Sequence, residues 1–151
     1  MASEFIIKNG FISKDSSSID GALSASTYYG DGSNLTGLAT TTGTFGVSMD
    51  GLGSVITTGS AGFITIPFNC IISDWYLAGN IAGNIVFSLT RGLTSIVGAG
   101  NKPTLSSQQS ASSPIIGWDI TVLSVGDLVE FNVDSCSVLT RVNLVIKVTK
   151  L

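Results

Sequence analysis

The sequence predicts an all-β fold: an antiparallel, jelly-roll-like β-sandwich behind a short extended N-terminal arm. Three observations predict it. Apolar and polar residues alternate with a period of two in one segment after another, the signature of strands with one face buried. No window of helical length places apolar residues at the i, i+3, i+4, i+7 spacing with capping residues at its ends. The alternating runs are short and are separated by Gly, Asn and Ser clusters, as in sandwiches and barrels.

From the N-terminus, "EFIIKNGFIS" reads as a small hairpin, because Asn-Gly is the strongest two-residue turn signal. A hairpin alone is marginal in water, and the scattered apolar residues that follow define no core. Residues 1–46 are therefore read as an attachment arm and junction, with Gly37 to Gly46 as a linker, and residues 47–151 as the head domain. Phe5, Ile6, Ile7, Phe11 and Ile12 are the candidate anchors that would hold the arm to a larger particle.

In the head domain, "GFITIPF" and "CIISDWYL" read as strands, with Pro67 at a bend or edge. "NIVFSLTR" is a third, with Ile85, Phe87 and Leu89 on one face, set off from the second by the breaker cluster "AGNIAGN". Gly98 to Ser113, rich in Ser and Gln, reads as the longest loop, exposed or packed on a neighbouring subunit. "PIIGWDITVL" is a further strand. "DLVEFNVD" turns Val129, Phe131 and Val133 to one side. "TRVNLVIKVTK" turns Thr140, Val142, Leu144, Ile146 and Val148 to one side. The total is about seven or eight strands between Ser48 and Leu151.

Charge bounds the function. Asp, Glu, Lys and Arg make up 11 % of the 151 residues, against roughly 25 % in ordinary soluble domains. So few charges leave a solitary surface poorly solvated, which implies that part of it is covered, most simply by copies of the same chain. The net charge of −3, with basic residues dispersed, disfavours nucleic acid and anionic membranes as partners. No apolar run approaches the about 18 residues of a membrane-spanning helix. The first residues lack the basic leader and apolar stretch of a secretory signal, so synthesis in a cytoplasm is expected.

Catalytic chemistry finds little purchase. His is absent, which removes Ser-His-Asp and Cys-His nucleophile activation, the commonest general base and His-ligated zinc. Asp127, Glu130 and Asp134 are the closest acids; they read as a solvated strand face with a turn Asp rather than as a hydrolytic pair. Cys70 and Cys136 are too few for a disulfide scaffold. They read as two buried thiols, with one disulfide as the alternative. "GDGSNLTG" lacks the lysine and the following helix of a phosphate loop and the acids of a calcium loop. No catalytic residue, metal site or cofactor is expected. Among the aromatics, Trp75 and Tyr76 must face opposite sides of their strand, and they and Trp118 read as core or interface packing; a sugar platform would instead require an exposed Trp or Tyr.

Two stretches resemble a known family. "STYYGDGSNLTG", Ser26 to Gly37, resembles a segment of bacteriophage tail-fibre and related virion proteins that leads into a head domain. "ITTGSAGFITIPFNC", "KPTLSS", "GW" and "GDLVEFNVDS", in that order, resemble a C-terminal domain of phage structural proteins. The resemblance implies a homotrimer, with Tyr28, Tyr29 and Leu35 packing at the trimer junction. It further implies a non-enzymatic virion protein assembled in the host cytoplasm, contacting a major capsid protein or a tail component. The N-terminal segment leaves no room for a fibre shaft, which favours a capsid-decorating protein or head fibre. A tail fibre or receptor-binding tip that contacts a host surface glycan is the alternative.

Overall fold

A computed structural model describes residues 41–151. Among them there is no helix, and eight strands pair antiparallel in one curled sheet. They are β1 (Thr42–Asp50), β2 (Gly59–Thr65), β3 (Cys70–Arg91), β4 (Thr94–Ser95), β5 (Thr104–Pro114), β6 (Val122–Leu123), β7 (Leu128–Ser137) and β8 (Arg141–Lys150). The main path runs β1-β8-β3-β7-β2, and β4, β5 and β6 pair with β3 off that path.

The organising element is β3, which differs from the expectation of two strands with a turn between them. "AGNIAGN" is not a turn: the chain runs through it as one strand of 22 residues. The first half, Cys70 to Gly79, pairs with β8; the second, Asn84 to Arg91, pairs with β7. The glycines of that cluster let the strand bend over a buried side chain. A Cβ at Gly79 would stand 2.6 Å from Leu139 Cδ2, and one at Gly83 would stand 2.9 Å from Leu139 Cγ. Real Cβ contacts are longer, so a side chain at either position would have to displace Leu139 where the sheet folds over. Leu139 lies in the short connection between β7 and β8 and is fully buried.

The curl brings the inner faces of the two halves together. Phe45 of β1 meets Phe131 of β7 edge-to-face, ring centroids 6.2 Å apart. Gly62 of β2 faces Val47 of β1, whose Cγ2 would lie 3.9 Å from a Cβ there. The core is apolar throughout: Ile72, Trp75 and Leu77 from one half of β3, Ile85, Phe87 and Leu89 from the other, Val129, Phe131 and Val133 from β7, and Leu144 and Ile146 from β8. The alternation expected for β7 and for β8 at Val142, Leu144, Ile146 and Val148 is the alternation found.

Three further assignments change. Thr42 to Gly46, read as the end of a linker, is the first part of β1, paired with β8 from Thr149 to Val145. The Ser- and Gln-rich stretch read as a loop contains β5, which runs along β3 past its bend. Its side chains alternate poorly because most of them face solvent, so the stretch carries no period-two signal. The run "PIIGWDITVL" is mostly irregular: it pairs only at Pro114, the last residue of β5, and at Val122 and Leu123. Its geometry is set by Asn101 instead, whose Oδ1 accepts from Ile116 N (2.6 Å) and Trp118 Nε1 (3.1 Å), while Nδ2 donates to Pro114 O (2.9 Å).

Candidate functional site

The bulge in β3 decides which side chains reach the outer surface. Ile72 pairs with Val148 and Asp74 with Lys147, leaving Ser73 as the extra residue. Cys70 and Ile72 point inward ahead of it; Trp75 and Leu77 point inward after it. The phase change buries Trp75 at 5 % exposure and leaves Tyr76 at 44 %. The two aromatics thus take opposite faces, as neighbours on a strand must.

Around Tyr76 the outer face is built row by row from four strands. Tyr76 stands between Ser112 of β5 and Val145 of β8, and Val145 in turn faces Gly46 of β1. In the next row, Ala78 stands between Ser110 and Asn143, and Asn143 faces Ser48. Small side chains in both rows leave a depression of about 620 Å³ lined by Tyr76, Ala78, Ser110, Ser112, Asn143 and Val145. A second, of about 370 Å³, continues from Ala78 and Asn143 towards Asn80, Ser48 and Asp50. We call the two together the trough.

An ion pair closes each end. Asp74 and Lys147 face one another across β3 and β8, with Nζ 3.5 Å from Oδ2. Asp50 and Arg141 do so across β1 and β8, with Nε 2.9 Å from Oδ2. Opposite charges directly across a ladder stabilise it modestly. The chemical consequence is larger: among the described residues, no unpaired charge faces the trough between the two pairs. Asn80 is committed to structure, its Oδ1 accepting from Thr140 N (3.2 Å) and Arg141 N (3.1 Å) and its Nδ2 donating to Thr140 Oγ1 (2.9 Å). The Tyr76, Ser110 and Ser112 hydroxyls and the Asn143 amide make no hydrogen bond to other described residues.

The acids singled out in the sequence go to separate partners. Asp127 Oδ2 accepts from Ser124 N (2.9 Å) and pairs with Arg91 (3.2 Å), holding the turn before β7. Asp134, the extra residue of a bulge opposite Val86 and Phe87, accepts from Lys102 Nζ (2.8 Å) and Ser88 Oγ (2.7 Å). Burial by itself would raise the Asp134 pKa; the bonds from Lys102 and Ser88 and the Lys102 charge outweigh it and hold the carboxyl below its usual value. Glu130 faces outward between Thr90 and Phe63. Cys70 and Cys136 are free thiols; burial pushes both upward, and the Asp127 charge adds to the effect at Cys70. Among the described residues, no three His, Cys, Asp or Glu side chains cluster in a way that could hold a metal.

Phe5, Ile6, Ile7, Phe11 and Ile12, and the junction residues Tyr28, Tyr29 and Leu35, lie outside the described residues. Of the aromatics weighed from sequence, Tyr76 reaches the trough, while Trp75 and Trp118 are buried. Ser110, Ser112 and Asn143 carried no signal of their own, because they meet Tyr76 through the pairing of strands far apart in sequence.

The described residues form antiparallel strands in a curled, all-β sheet, with an outer trough whose charges are paired. No protein-family model matches the chain, and no curated protein matches it.

Proposed function

We propose that this chain is a non-enzymatic structural protein of a bacteriophage virion, a homotrimer with a jelly-roll-like β-sandwich head that decorates the capsid as a cement protein or head fibre. The observation that carries this reading is how apolar the exposed surface is. In a chain with so few charges, Phe63 is 72 % exposed, Val125 63 % and Leu128 46 %. Ile71 and Val122, direct partners on β3 and β6, are exposed side by side. Surfaces of this kind are stable when a neighbour covers them. In the trimer, copies of the chain bury them against one another, so that folding and assembly are coupled. The residues before β1 attach the trimer to the major capsid protein through Phe5, Ile6, Ile7, Phe11 and Ile12, and Tyr28, Tyr29 and Leu35 pack at the junction between copies.

The trough favours a second reading: a tail fibre or receptor-binding tip, in which an exposed aromatic among hydroxyls with no hydrogen bond to other described residues contacts a host glycan.

Localisation and copy number in purified particles test both. Many copies on the head support decoration, and loss of the protein then lowers particle resistance to heat. A few copies at the tail, with soluble protein blocking adsorption, support the tip. Absence from the particle overturns both. Light scattering of the purified chain is expected to report three times the 15.5 kDa chain mass; a stable monomer overturns the covered-surface argument. Deleting residues 1–20 is expected to abolish attachment while leaving the trimer, and attachment that survives overturns the anchor assignment.

A further inference from the structure

From the composition of the trough we infer that it is a binding site for a short, neutral saccharide. The inference goes beyond the virion reading and does not depend on it, since it stands on the outer face of β5, β3, β8 and β1.

Sugars are recognised by an aromatic face against their C–H surface and by uncommitted hydroxyl, amide or carboxylate groups against their hydroxyls. The trough offers the first two kinds. Tyr76 stands half exposed among side chains too small to cover it: Ala78, Ser110, Ser112 and Gly46. The Tyr76, Ser110 and Ser112 hydroxyls and the Asn143 amide form no hydrogen bonds to other described residues and supply both donors and acceptors. A volume of about 620 Å³ lies within the range of roughly 300–1,000 Å³ typical of small-ligand sites.

Charge selects among saccharides. Lys147 is paired with Asp74, and Arg141 with Asp50. Among the described residues, an acidic sugar would therefore meet no unpaired cation here to offset the loss of its hydration. Hydrogen bonding argues against a permanent protein interface on this face: burying Tyr76, Asn143 and two serines without partners would cost about 1–3 kcal/mol for each unsatisfied group. The strongly apolar exposed residues, Phe63, Leu128, Ile71 and Val122, line neither depression.

The test uses the full chain, labelled with ¹⁵N and titrated with maltose, cellobiose, lactose and chitobiose, with sialyllactose as the acidic comparison. At least one neutral sugar is expected to shift the amides of Tyr76, Ala78, Ser110, Ser112 and Asn143 in a saturable manner. Affinity is expected to fall at least tenfold in Tyr76→Ala and in Asn143→Ala, and less in Tyr76→Phe, which keeps the ring. Phe63→Ser, on another surface, is expected to leave it unchanged. The inference is overturned if none of the neutral sugars binds, if the shifts map elsewhere, if sialyllactose binds more tightly, or if Tyr76→Ala binds like the wild type. It is also overturned if Tyr76→Ala keeps a native spectrum but dissociates the oligomer, because the trough is then an interface between copies. Failure of this titration leaves particle localisation untouched, and absence from the particle leaves the titration untouched.

Discussion

Two side chains show how much rests on single residues. Leu139 is the plug over which β3 bends, held between Gly79 and Gly83, and its own carbonyl accepts from Ile56 N at 2.9 Å. Leu139→Ala is expected to cost about 2–5 kcal/mol, the range for a fully buried leucine whose surroundings cannot collapse; a shift in the urea midpoint with an unchanged slope checks it. Asp134 works through charge. Its folded pKa lies below the unfolded value of about 3.9, so its contribution is complete above that value and is lost as pH falls through the folded one. A stability profile between neutral pH and about pH 2 is expected to lose less on acidification in Asp134→Asn than in the wild type. The effect stays small, because Lys102 and Asp134 are partly solvated and such pairs contribute about 0–1 kcal/mol.

At the scale of the element, β3 explains both the core and the outer face. A strict alternation from Cys70 and Ile72 would carry Asp74 and Tyr76 inward. The extra residue, Ser73, prevents this and puts Trp75 inside instead. Deleting Ser73 removes the bulge. In a Trp118→Phe background the deletion is expected to lower the unfolding midpoint and to shift the Trp75 emission to the red. Ser73→Ala keeps the residue count, and its emission is expected to match the parent. An unshifted emission in the deletion variant would show that the strand recovers its phase in another way. The bulge also accounts for what could be read beforehand. That Trp75 and Tyr76 face opposite sides follows from strand geometry, but which of them is buried depends on one unpaired residue that no periodicity reveals.

For the whole molecule, the arrangement of exposed apolar residues carries the prediction. Phe63 and Leu128 lie on neighbouring strands, diagonal to one another across the pairs Phe63–Glu130 and Thr65–Leu128. Replacing both by Lys is expected to shift the purified chain towards monomer in light scattering, with little change in its β-sheet circular dichroism. An oligomer of unchanged mass would place the contact between copies elsewhere on the surface.

The sequence by itself determined the all-β class, the strands β7 and β8 with their buried faces, and the opposite facing of Trp75 and Tyr76. Each follows from a period of two or from the absence of a helical one, and those are local properties of the chain. The tertiary structure decided what depends on contacts between distant segments. "AGNIAGN" is a bend because Leu139, far along the chain, fills the space its glycines leave. The Ser- and Gln-rich stretch contains a strand because β3 offers it an edge, although its exposed side chains show no alternation. The trough exists because β5, β8 and β1 set serines, an asparagine and a glycine around Tyr76. Small polar residues scattered along a sequence look like turns. Strand pairing gathers them into one polar surface, and pairing is a property of the sheet rather than of any one segment.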